Sequence, residues 1–172
     1  MRRGIVIALS EPTDIVLNGP SSAGKSTLAV ALAARFPERM AVLQIDKLFA
    51  VAPPEAPNNW QLFSTLTTSL FASAAAFARS GYDVVVDTVF ERVDCVNIAR
   101  IALEGVRSQF VAVTASVAVL EQREHVRGNR RAGLAKEQRE RVFHDVEYSI
   151  AIDTTIEGTE ESVRRLAALL VL

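Results

Sequence analysis

The chain has 172 residues, 49% apolar and 23% charged, the composition of a globular protein long enough to bury a substantial core and most economically one domain. Its formal net charge of −1 supplies no general field for nucleic acid or an anionic membrane, so function classes that rest on such a field are excluded and a small partner is favoured. The single cysteine, Cys95, rules out an internal disulfide and suits a reducing, cytoplasmic setting, and no apolar run reaches the length of a bilayer span.

Met1-Arg2-Arg3 and the run from Gly4 to Leu9 look faintly like a signal peptide. The apolar stretch is too short, no small-residue cleavage site follows, and Glu11-Pro12 interrupts it. Residues 1–12 therefore read as an N-terminal extension, an edge strand or an extra start. Asp14 to Asn18 is the first predicted strand, with Ile15, Val16 and Leu17 buried. Gly19-Pro20-Ser21-Ser22-Ala23-Gly24-Lys25-Ser26 follows, spelling G-x-x-x-x-G-K-[ST]. Behind it Leu28, Ala29, Ala31, Leu32, Ala33 and Phe36 recur at helical spacing, so the motif stands between a strand and a helix (Ser26 to Phe36), as a phosphate loop must. Gly19 and Gly24 let the backbone turn its N–H groups inward, and the helix N-terminus adds the positive end of its dipole. Lys25 reaches β- and γ-phosphates and Ser26 can hold Mg²⁺. Residues 19–27, through Thr27, are the expected nucleotide-binding segment; an ordinary glycine-rich turn is the plain alternative.

Met40 to Ile45 reads as the second strand, ending at Asp46. Pro53, Pro54 and Pro57 make Val51 to Asn59 a stiff connector without regular structure. Trp60 to Arg79 is a long helix stopped by Gly81 at a C′ position. Val84-Val85-Val86 is an apolar strand ending at Asp87. Asp94 is placed to cap the next helix, to about Glu104, and Gln109 to Thr114 is the fourth strand. Ser116 caps another helix. The chain turns basic between Arg123 and Arg131, a charged helix spans Ala135 to Asp145, Tyr148 to Ile152 is the fifth strand, and Glu160 to Leu170 closes the chain. Strands without apolar/polar alternation, interleaved with helices, predict an α/β fold with a five-stranded parallel sheet covered on both faces.

In such a sheet ligands sit beyond the carboxyl ends of the strands. Asp87 there has the Walker-B arrangement, a carboxylate beside the phosphate loop near a Mg²⁺ held by Ser26; a helix cap or surface aspartate is its alternative. Asp46, at the same edge, can orient an acceptor hydroxyl and take its proton as the bond to phosphorus forms. Its alternative is capping, with Lys47 as ion-pair partner. Arg123, Arg127, Arg130 and Arg131, near glycines, form an expected lid over 123–133, with one arginine stacking on adenine and another neutralising charge on the transferring phosphoryl group. The plain reading is a solvated helix end paired with Glu121 and Glu124. His125 and His144 lack metal-ligand spacing, and Cys95 reads as a small core or surface residue.

Leu17 to Ser26, Val86-Asp87-Thr88-Val89-Phe90, Arg123 to Arg130, and Val146-Glu147-Tyr148 with Ile152-Asp153-Thr154-Thr155 together resemble the chloramphenicol phosphotransferase family, from about residue 13 onward. The resemblance implies a P-loop kinase of the nucleoside-monophosphate-kinase-like, three-layer kind with sheet order 2-3-1-4-5, using ATP and Mg²⁺ to phosphorylate a hydroxyl of a small molecule such as chloramphenicol. It places the base on Asp46 and lid arginines on Arg127 and Arg130, and gives a catalytic set of Asp46, Lys25 and Arg130 with Ser26 and Asp87 at the metal. It departs between Asp46 and the long helix, where the family carries a longer segment that shapes the acceptor pocket. Alternatives are a metabolic or toxin-like kinase of a nucleotide, sugar nucleotide or cofactor precursor, and a nucleotide-dependent switch without an acceptor; no N-K-x-D sequence supports a GTPase version. Monomer and homo-oligomer remain open.

Overall fold

The computed structural model describes residues 11–127 and 133–171. The expected extension, apart from Glu11 and Pro12, lies outside them, as do Arg130 and Arg131 of the expected lid. Strands β1 (Thr13–Asn18), β2 (Met40–Gln44), β3 (Asp83–Thr88), β4 (Arg107–Thr114) and β5 (Ile150–Asp153) form one sheet in the order β2-β3-β1-β4-β5. All neighbours pair in parallel. This is the order the resemblance implied, and every residue of the central β1 and β3 is buried.

Helices α1 (Lys25–Arg35), α2 (Ile45–Leu48), α3 (Trp60–Arg79), α4 (Val93–Ala102), α5 (Val117–Arg127), α6 (Leu134–Arg139) and α7 (Thr159–Ala168) cover the sheet. Strand side chains alternate between two apolar layers. Ile15, Leu17, Val85, Val111 and Ile152 face Leu28 and Leu32 of α1, Leu120 of α5 and Leu166 of α7. Val16, Val84 and Val86 face Leu70, Phe71 and Ala74 of α3 and Val96 and Ala99 of α4. Cys95 belongs to this second layer, fully buried, where burial raises its thiol pKa and keeps it neutral.

Local signals set the ends of α3. The Asn59 side chain accepts from the Leu62 N–H at 3.0 Å at the start. At the end Gly81 takes φ +95°, Tyr82 N–H returns to the Phe77 carbonyl at 3.1 Å, and the rings of Phe77 and Tyr82 meet edge-on. That is a Schellman ending with its apolar contact.

Three expected elements change. Asp94 does not cap α4: the N-cap is Arg92, extended, and Asp94 lies in the first turn, still near the positive helix end. Asp46 is not at a bare strand tip but inside the one-turn α2, continuous with β2. The charged helix foreseen to Asp145 stops at Arg139. One further helical bond, from Val142 N–H to the Gln138 carbonyl at 2.9 Å, follows, and the chain then runs through turns in which Asn18 Nδ2 donates to the Val142 carbonyl at 2.6 Å and Asp145 lies left-handed at φ +62°. The 3₁₀ turn Phe49–Val51 opens the proline-rich connector, and Ser116 caps α5 through the Val119 N–H, as expected. No helix among the described residues is long and apolar enough to cross a membrane.

Candidate active site

The phosphate loop leaves β1 pressed against β4. A Cβ on Gly19 would lie 1.9 Å from the Val113 carbonyl oxygen, so only glycine allows this approach. Gly24, the N-cap of α1, takes φ +95°, and Ser22 also lies left-handed at φ +61°. The turn aims the start of α1 into a cleft lined by Ser21, Ser22, Gly24, Lys25, Ser26 and Thr27 on one side. Ile45, Asp46, Asp87, Thr88 and Val89 line its other wall, with Arg127, Leu134 and Gln138 above.

Lys25 bends back over the loop, its Nζ donating to the carbonyls of Gly19 and Pro20 at 2.8 Å each and standing 4.0 Å from Asp87 Oδ1. Ser26 Oγ donates to Asp87 Oδ2 at 2.5 Å. Parallel register sets Gln44 opposite Asp87, and its Nε2 donates to the same oxygen at 3.3 Å. Asp87 is thus 6% exposed yet held by neighbours on two other elements, which excludes the surface-aspartate alternative. Its carboxylate and the Ser26 hydroxyl form a hard oxygen pair of the kind Mg²⁺ prefers, few protein ligands beside waters and phosphate oxygens. Among the described residues no group of three or more His, Cys, Asp and Glu side chains gathers to hold a metal by itself. Asp46 shares this cleft and is exposed on it, 41 residues before Asp87 in the chain but one strand away in space.

The arginine segment divides. Arg127, the last residue of α5, is exposed and borders both this cleft and a second hollow formed by Ser22, Thr27, Leu28, Thr154, Glu157 and Thr159. Arg123 turns toward the phosphate loop and the segment after β5. Its Nη1 donates to Thr154 Oγ1 at 2.9 Å and to the Ser22 carbonyl at 3.3 Å, and its Nη2 to the Thr154 carbonyl at 3.1 Å. It anchors α5 to the phosphate loop. Glu124 is buried and accepts from the N–H groups of Gly133 and Ala135 at 2.6 and 3.0 Å, capping α6.

Sequence reasoning passed over several residues that hold the site. Asn18, fully buried, accepts from the Phe90 N–H at 2.8 Å and donates to the Tyr148 hydroxyl at 2.6 Å, joining the loop after β3 to the segment before β5. Burial raises the Tyr148 phenol pKa against the smaller lowering effect of the Asn18 bond, so the hydroxyl stays protonated. Thr154 Oγ1 donates to the Ala23 carbonyl at 2.9 Å. The position of Asn18, directly before the motif, is a signal that could have found it; Thr154 lies in the Ile152–Thr155 stretch that carries the family resemblance, but nothing local tells of its partner.

A family model described as chloramphenicol phosphotransferase-like protein matches residues 13–171. The chain belongs to that family. A curated relative from Mycobacterium tuberculosis strain H37Rv, named "Putative O-phosphotransferase Rv2636", is 26% identical over 191 residues, covering 96% of this chain and 85% of the relative. Among solved structures, the APS kinase CysC of Mycobacterium tuberculosis in complex with AMPPNP and APS has a TM-score of 0.78 at 17% identity, covering 95% of this chain and 99% of that one. A gluconokinase from Sinorhizobium meliloti 1021 has a TM-score of 0.67 at 24% identity, covering 94% and 93%. These likenesses show the fold: this member of the chloramphenicol phosphotransferase-like family is a three-layer P-loop kinase fold. Family membership makes it a phosphotransferase.

Proposed function

We propose that this protein transfers the γ-phosphate of ATP to a hydroxyl of a small molecule. The observation that carries the reading is the Ser26–Asp87 pair at 2.5 Å beside Lys25, in the cleft that Asp46 also borders. The loop's N–H groups and Lys25 bind the donor phosphates; Ser26 and Asp87 hold Mg²⁺, which when bound neutralises charge on the β- and γ-phosphates. Asp46 orients the acceptor hydroxyl and removes its proton. Arg127 covers the phosphates from the end of α5, and Arg130, outside the described residues, is assigned to the same lid on family resemblance. The oxygen of the acceptor attacks phosphorus as the bond to the leaving ADP oxygen breaks, so positioning and charge neutralisation supply most of the rate.

Chloramphenicol is one candidate acceptor. The short proline-rich connector from Val51 to Asn59 gives the acceptor side its own shape, which favours a panel that also includes nucleotides, sugar nucleotides, sugars and cofactor precursors. Cytoplasmic residence follows from the proposed use of ATP. The test is a coupled assay of ADP release across that panel: an acceptor-dependent rate supports the reading, whereas tight ATP binding with no acceptor in the panel and no effect of Asp46→Asn favours a nucleotide-dependent switch.

A further inference from the structure

Gln138, in the six-residue α6, is 5% exposed and both ends of its amide are in use. Its Oε1 accepts from the backbone N–H of Ser21, inside the phosphate loop, at 2.7 Å. Its Nε2 donates to Glu91 Oε1, and Arg141 holds the other Glu91 oxygen at 2.8 Å from Nη2 and 3.2 Å from Nε. Glu91 does not line the cleft. Its neighbour Arg92 lies over the Trp60 ring, 4.3 Å from guanidinium carbon to ring centroid, where Trp60 begins α3 directly after the connector on the proposed acceptor side.

These contacts form a continuous path from the phosphate loop to the acceptor-side segment. The polarity of each contact is defined. A backbone N–H can only donate, so the amide oxygen of Gln138 must face Ser21; the amide nitrogen then faces Glu91, where an acceptor is required. A carboxylate between Gln138 and Arg141 meets both demands, and a buried amide with both ends satisfied has a single orientation. We propose that Gln138 is a positioning residue that sets the conformation of the phosphate loop at Ser21 and couples it, through Glu91, to the loop that carries Arg92. The inference rests on the kinase reading above, since it takes the loop's ligand to be ATP·Mg²⁺.

The test is a double-mutant cycle on the intact chain, read as affinity for ATPγS with Mg²⁺ by titration calorimetry. Gln138→Leu is expected to weaken binding by about tenfold, and Glu91→Ala by about threefold although Glu91 lies off the cleft. In the Gln138→Leu background Glu91→Ala is expected to add nothing. Gln138→Glu sets two carboxylates against each other and is expected to weaken binding as Leu does. Combining it with Glu91→Gln keeps an acceptor toward Ser21, removes the opposed carboxylates and restores one hydrogen bond between the side chains, donated by the amide at 91, and is expected to recover most of the affinity. A merely structural role would not give that recovery. Additive effects, or no recovery by the exchanged pair while the wild type binds ATPγS, overturn the coupling alone. Absence of ATPγS binding by the folded wild type overturns the kinase reading, and the coupling with it.

Discussion

Asp46 and Asp87 leave the same edge of the sheet in different settings, and the setting matches the work proposed for each. Asp87 is enclosed and held by Ser26 and Gln44, fixed as a metal ligand should be; Asp46 is exposed on the cleft wall, where an incoming hydroxyl can reach it. Asp46→Asn is expected to leave ATP·Mg²⁺ affinity within about twofold while lowering transfer to the acceptor by roughly 10²–10⁴, the usual worth of a positioned general base. Transfer at the wild-type rate would remove Asp46 from the mechanism. At the opposite end of β1, Asp14 is fully buried with both carboxylate oxygens unpartnered, and burial, helped by the nearby Asp83 charge, pushes its carboxyl up to about 7. The folded chain therefore keeps a proton that the unfolded chain, with an ordinary value of 3.8, releases. The stability this supplies is complete below about pH 4 and is lost as pH rises through about 7. Urea unfolding between pH 5 and pH 8 should show Asp14→Asn removing a decline of roughly 2–3 kcal/mol. An unchanged decline would place its origin in another group.

Among the elements, α3 was the most legible, because its stop signal is a single glycine whose demand is local. Gly81 at φ +95° has no atom within 4 Å of a would-be Cβ, so Gly81→Ala meets backbone strain alone. Its expected cost is about 1 kcal/mol, or a fall of about 2–4 °C in Tm by calorimetry. Gly19→Ala is a different case, since its Cβ would drive into the Val113 carbonyl and force the phosphate loop off β4. The charged segment after Gly133 was misjudged for the opposite reason. Its composition permits a helix to Asp145, but the chain beyond Arg139 runs through turns and gives the Val142 carbonyl to Asn18 of a distant strand, a partner that no local pattern announces. The basic segment was half legible: its arginines are evident, but only the placement of α5 separates Arg123, which anchors the loop through Thr154, from Arg127, which faces the cleft.

For the whole molecule, the parallel sheet gathers strand ends from distant parts of the chain at one edge, so a ligand bound there ties several elements together. With the proposed ligand set, ATP·Mg²⁺ at a hundred times its Kd should stabilise the fold by about 2.7 kcal/mol, raising Tm by roughly 5–10 °C. Removing Mg²⁺ with EDTA should abolish most of that rise, and Asp87→Asn should show a much smaller rise at the same ATP concentration. An equal rise with and without the metal would exclude Ser26 and Asp87 as its holders.

The sequence by itself determined what neighbouring residues settle among themselves: the phosphate loop from Gly19 to Ser26, whose spacing carries its own geometry, the alternation of strands and helices, and the Gly81 stop. The order of the strands came into view only through resemblance to a family, since spacing says nothing about which strand lies beside which. Tertiary structure decided which side chains meet. Ser26 and Asp87 are 61 residues apart, Asn18 and Tyr148 130, Ser21 and Gln138 117. Such pairs depend on strand order and register, set by packing two apolar layers against one twisted sheet, and no local pattern encodes them. The loop from Gly19 to Ser26 could therefore be read directly, whereas the Gln138 amide hydrogen-bonded to it could not.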